Sequence, residues 1–156
     1  MIFSTYISTP PIIHYVTPVR TVLKIAKGLV YKVEIEFPAG PVGLLRCQIY
    51  DGSFQLWPST PGEYFKSDGL LISFDDTYLK LAAPFEFTIY TWNEDEAYPH
   101  GLTVRIGMVS SELFMARFLP SYGYKQLAKM LKEEEKKKVD DKEGIIAKPF
   151  SWIEGE

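Results

Sequence analysis

The run from Leu29 to Phe37 constrains this chain more than any other, because Leu29, Tyr31, Val33, Ile35 and Phe37 alternate there with Val30, Lys32, Glu34 and Glu36. Side chains two apart share a face only in an extended strand, and a helix would scatter this apolar set around its circumference. The alternation returns after the turn-forming ProAlaGlyProValGly, with Leu45, Cys47 and Ile49 inward and Arg46 and Gln48 outward. Asp51-Gly52 then marks a tight hairpin, and Phe54 and Leu56 begin the return strand. Further strand candidates are Val22 to Ile25, Leu70 to Phe74, Tyr78 to Leu81, Phe85 to Trp92 and Leu102 to Val109, with short pieces before Val22 supplying an edge. No segment of helical periodicity separates them, which argues against crossover helices and a parallel sheet. The sequence therefore predicts an all-β fold over residues 1–110, an antiparallel β-sandwich or jelly-roll-like domain of about eight or nine strands.

Beyond Val109 the texture changes. Residues 111–139 read as a connecting arm and a helix: Ser121 is placed to cap a helix from about Tyr122 to Lys138, with Tyr124, Leu127, Ala128 and Leu131 on one stripe. From Lys132 to Glu143 every residue but Val139 is charged, five basic and six acidic, so this stretch is expected to be solvated. Residues 140–156 read as an extended C-terminal arm that turns apolar again, concentrating Ile145, Ile146, Phe150, Trp152 and Ile153. Ordering such a peptide is worthwhile only where its side chains find pockets, on a partner or in a groove of its own domain.

Size and composition set outer limits. A chain of 156 residues with 46% hydrophobic and 15% aromatic side chains can bury a full core, so neither disorder nor a collagenous chain fits. A formal charge of −3 gives the molecule no overall pull toward nucleic acid or an anionic membrane. No stretch approaches the roughly 18 apolar residues of a membrane span, and the first residues lack the pattern of a signal peptide. One cysteine, Cys47, and two histidines, His14 and His100, cannot build a disulfide framework or a cysteine-rich zinc site, and a reduced, intracellular site of synthesis is expected. Asn occurs once and Gln three times against abundant Lys and Glu, a bias found in proteins of hot environments.

Catalytic chemistry finds little to stand on. There is no GlyXaaSerXaaGly elbow, no P-loop and no dinucleotide fingerprint, and Cys47 falls on an inward strand position where a thiol is a small hydrophobe. Paired acids at Asp75 and Asp76, and in the loop from Asn93 to Glu96, could serve glycoside hydrolysis or, together with Asp51, hold Ca²⁺, but turn acids more often end strands and cap amides. The expectation is a non-enzyme without metal or cofactor. The aromatics Trp57, Tyr64, Phe65, Tyr90 and Trp92 lie at strand ends or on outward phases, where rings bind sugars or anchor interfaces. Three of them sit in the segment from Trp57 to Gly69, whose prolines and glycines would hold rings in place at low entropic cost.

The stretch from Gly28 to Ser111, in particular GlyLeuValTyrLysValGluIleGluPheProAlaGly, AspGlySerPheGlnLeuTrpProSerThrProGlyGluTyrPhe, IleSerPheAspAspThrTyrLeu and ValArgIleGlyMetValSer, resembles small virion-associated structural proteins of tailed phages and viral metagenomes, similar to capsid decoration proteins. The resemblance implies a place in the virion after synthesis in a host cytoplasm, and contacts with the major capsid protein or other virion proteins in a homo-oligomeric arrangement. It implies no active-site residues, and no nucleic acid or membrane as partner. Trp57, Tyr64, Phe65 and Trp92, with Ile145, Ile146, Phe150, Trp152 and Ile153 of the arm, are the candidate partner-binding residues. The alternative is a carbohydrate-binding, receptor-contact module reading sugar through Trp57 and Trp92.

Overall fold

The computed structural model describes residues 1–110 together with Glu112, Leu113, Ser121, Lys125, Gln126, Lys129, Met130 and Glu133. The chain divides into two compact units, Met1–Ser111 and Glu112–Glu156. The described positions of the second unit are helical, and Lys129 lies 4.0 Å from Glu133 one turn along. The remainder of the expected arm and helix, and all of residues 140–156, lie outside the described residues.

The first unit is built from ten strands: β1 (Ile2–Thr9), β2 (Val19–Lys24), β3 (Gly28–Phe37), β4 (Leu45–Asp51), β5 (Phe54–Trp57), β6 (Phe65–Lys66), β7 (Leu70–Asp75), β8 (Leu79–Lys80), β9 (Glu86–Asn93) and β10 (His100–Val109). One sheet runs β1-β10-β3-β7 with β8 also on β3, and the other runs β2-β9-β4-β5 with β6 also on β4. Every pairing is antiparallel. Successive strands β1 to β4 alternate between the sheets, and β9 and β10 return to fill the second place in each. This is the jelly roll, two Greek keys folded into a sandwich.

Burial follows the two-residue period. Val33, Ile35, Phe37, Leu102, Val104 and Ile106 of one sheet face Leu45, Cys47, Ile49, Phe87 and Ile89 of the other, all at most 1% exposed. The strand run that anchors the sequence reading holds only in part. Val33, Ile35 and Phe37 point inward, but Val30 is buried where Leu29 and Tyr31 were the expected inward residues. Pairing explains the switch: Lys32 sits opposite Gly107 and Val30 opposite Met108, so β3 spends one more residue than β10 and Tyr31 is the extra one. A bulge of this kind flips the face of everything beyond it. Tyr31 then lies on the outer face across Gly107, where a Cβ would stand 2.8 Å from the phenol ring.

The strand Ile2–Thr9 is longer than the short pieces expected before Val22, and its partner is β10, about a hundred residues away in sequence. The two sheets are tied at that end by the Thr9 and Thr91 hydroxyls, 2.7 Å apart and buried, and by Asn93, whose amide donates to the carbonyls of Thr9 and Tyr98.

Candidate binding groove

Strands β4 and β9 lie in the middle of their sheet, and their outward residues are Arg46, Gln48 and Tyr50 on one and Tyr90 and Trp92 on the other. Register sets Arg46 beside Trp92 and Gln48 beside Tyr90. Tyr15 and Pro18, Gly52 and Ser53 of the β4–β5 hairpin, and Gly62 and Tyr64 complete the lining of a groove of about 660 Å³.

The wall formed by residues 58–64 is held chiefly by the Gln55 side chain. The amide nitrogen of Gln55 donates to the carbonyls of Pro58, Thr60 and Glu63 at 2.7, 3.0 and 3.0 Å, while its oxygen accepts from the Gly62 amide at 3.0 Å. Gln48 adds a bond to the Glu63 carbonyl at 2.8 Å. These contacts bring Tyr64 over the sheet, where its ring meets Trp92 edge to face at 5.4 Å and the Arg46 guanidinium stands 4.6 Å from its centre. Tyr50 and Tyr90 form a second edge-to-face pair at 5.1 Å. Glu94 grips Arg46 in a two-pronged pair at 2.5 and 2.6 Å, so the one charged side chain among the described residues of the lining is compensated. Two donors on this wall, Trp92 Nε1 and Arg46 Nε, have no acceptor among the described residues.

The predicted aromatic set divides. Tyr64 and Trp92 come together in the groove, whereas Trp57 does not belong to a surface: it is 2% exposed and packs edge-on against Phe74, Tyr78 and Phe87. The reason is a second register slip, Ile49 opposite Trp57 but Tyr50 opposite Gln55, which makes Leu56 the extra residue and turns Trp57 inward. Its indole N–H is satisfied by Asp76 at 2.5 Å. Phe65 also turns toward the core, stacked on Phe74 at 5.9 Å. Ile145, Ile146, Phe150, Trp152 and Ile153 lie outside the described residues.

Of the acids weighed for catalysis or cation binding, Asp51, Asp76, Glu94 and Asp95 are engaged elsewhere. Asp51 accepts from Tyr78 Oη at 2.6 Å and from buried Lys80 at 2.5 Å, and burial together with this carboxylate pushes the Tyr78 hydroxyl up to about 12. Asp76 serves Trp57 and the Thr77 amide. Asp95 organises its own turn: the Ala97 amide, His100 Nε2 and the Tyr98 amide bond its carboxylate at 2.7, 2.8 and 3.0 Å and hold it down at about 2. Among the described residues no three His, Cys, Asp or Glu gather as a cation site requires. Cys47 is fully buried, and burial pushes its thiol far above the ordinary range, which leaves no thiolate to react.

Arg46, Gln48, Tyr50 and Gln55 were not among the candidate binding residues, although their signal was present: outward Arg-Gln-Tyr positions on a strand whose neighbour would carry outward Tyr90 and Trp92. Reading it requires knowing that β4 and β9 are neighbours, which no local pattern states.

The fold is thus that of a jelly-roll sandwich with a ring-lined groove on one outer face. No family model and no curated protein matches the sequence. Among solved structures the chain is similar to one from a study of Bacillus endospore appendages, described there as a novel family of disulfide-linked pili, at 13% identity over 71% of this chain and 88% of that chain, with a TM-score of 0.38. A likeness that remote bears on neither activity nor partner. No described helix is long and apolar enough to cross a membrane.

Proposed function

We propose that this chain is a structural component of a virus particle, a capsid decoration or other virion-surface module that works through contacts with the major capsid protein or other virion proteins and performs no turnover. The observation that carries this reading is the open edge of the β1-β10-β3-β7 sheet. Strands β7 and β8 follow one another along the same side of β3, and among the described residues no strand pairs with their far side. That edge displays Leu70, Leu71, Leu79 and, just past β8, Leu81, all between 44% and 57% exposed. Free-standing proteins blunt such edges with lysine, proline or a covering element, because unpaired backbone groups beside apolar side chains recruit other chains. Strand β7, LeuLeuIleSerPheAsp, has neither lysine nor proline. Such an edge supports a reading in which another chain covers it. Jelly rolls build viral capsid domains among others, which is compatible with this reading without selecting it.

A module of this kind stabilises a shell by mass action, since it binds the assembled subunits and not their dissociated forms. The test is co-sedimentation with purified particles. The Leu70→Asp, Leu71→Asp double variant is expected to keep the wild-type circular dichroism and Tm, because both side chains are exposed. It should bind particles about tenfold more weakly, from the loss of roughly 1 kcal/mol or more of apolar burial. Undiminished binding by the folded variant would contradict the assignment of the edge.

A further inference from the structure

We infer that the groove over β4 and β9 is a binding site for an uncharged saccharide, an assignment that does not depend on the virion reading. Its volume of about 660 Å³ falls in the range of roughly 300–1,000 Å³ common to small-ligand clefts. Five rings line it, and four of them, Tyr50, Tyr64, Tyr90 and Trp92, form two edge-to-face pairs. In such a pair one ring keeps both faces clear of its partner, and a free aromatic face is what the C–H side of a pyranose stacks upon.

Polar groups narrow the class. Trp92 is 4% exposed, yet its Nε1–H lacks an acceptor among the described residues, as does Arg46 Nε–H on the same wall. An unpaired buried donor costs roughly 1–3 kcal/mol, and a ligand oxygen would recover it. The occupant is therefore an acceptor-bearing molecule. An anion is disfavoured, because the guanidinium on the lining is already held by both oxygens of Glu94, and Lys66, 5.9 Å from the centre of the Tyr64 ring, stands outside the lining. A peptide is disfavoured by position: β4 and β9 are interior strands whose backbone groups are paired on both sides, so an extended chain would find no ladder to join. Hydroxyl oxygens presented on an uncharged, ring-stacking scaffold meet all three conditions.

Binding of the full chain to an array of neutral, sialylated and sulfated oligosaccharides tests this. The expected result is retention of neutral oligosaccharides, unaffected by added salt. Affinity should fall about tenfold or more in Tyr64→Ala and Tyr90→Ala, fall also in Trp92→Phe, which keeps a ring but removes the N–H, and stay unchanged in Tyr6→Ala on the opposite outer face. Circular dichroism accompanies each variant, and Tyr90→Phe, which preserves the ring, is expected to bind as wild type. The assignment is overturned if no neutral saccharide is retained, if Tyr64→Ala and Tyr90→Ala bind undiminished, or if only acidic glycans bind and salt releases them. Occupation of the groove by a peptide of residues 144–156, with no saccharide retained, overturns it equally.

Discussion

Individual side chains bear unequal shares of this fold, and two carboxylates show how. Asp51 is the counter-charge of Lys80, whose side chain at the end of β8 is 7% exposed, and it also takes the Tyr78 hydroxyl. Removing one member of a buried pair strands the other, so Lys80→Ala is expected to destabilise by about 3 kcal/mol in urea denaturation. A change near zero would show the pair to be solvated. Asp95 differs because it lies at the surface and is stabilised by donors rather than by burial. Its carboxyl sits at about 2 in the fold against an ordinary 3.8, so the ionised form favours the folded state. That contribution is fully present above about pH 4 and is lost as pH falls through 2. Asp95→Asn should therefore lower Tm at neutral pH, with the gap to wild type closing between pH 4 and pH 2. A gap of constant size across that interval would rule out the charge as its source. Neither role was legible from the sequence, where these residues were simply acids in turns. A turn acid's partner, Lys80 for Asp51 or the Ala97 amide for Asp95, is fixed only once the chain has folded around it.

At the level of elements, alternation was a reliable guide wherever a strand stayed in register and failed where it slipped. Leu45, Cys47 and Ile49 occupy their expected inward places, and Phe87 and Ile89 of the neighbouring strand β9 point inward beside them. The two failures, Tyr31 and Trp57, both lie at a register slip, Tyr31 as the extra residue itself and Trp57 just beyond the extra Leu56, and a single inserted residue leaves no mark in composition while reversing every later assignment. The two-residue strand Phe65–Lys66 was too short to show any period. Pairing of β1 with β10 joins the extremes of the described domain, which no window of local pattern spans. The start of β3 gives a test of how tightly these strands are fitted. A Cβ on Gly28 would stand 2.6 Å from the Val109 carbonyl oxygen, and backbone cannot rotate away as a side chain can. Gly28→Ala is expected to cost about 1–3 kcal/mol, read as a lowered urea midpoint with an unchanged slope. A wild-type midpoint would mean that the two strand ends are not held against each other.

For the whole molecule, the sandwich separates two kinds of surface. One sheet has a leucine-bearing edge with no strand on its far side among the described residues; the other has an outer face with a ring-lined groove whose arginine is paired with Glu94. The sheets are locked together by a core of large side chains, so neither surface need deform to serve the other. The layered architecture was readable in advance from the density of short alternating runs, while the two surfaces were not, since each is assembled from strands distant in sequence. On the proposed reading the chain is a built-in part of a particle. Quantitative mass spectrometry of purified particles should then find it at a fixed, reproducible ratio to the major shell protein that survives high-salt washing. Its absence from particles, or its presence only as a trace that washing removes, would overturn that reading.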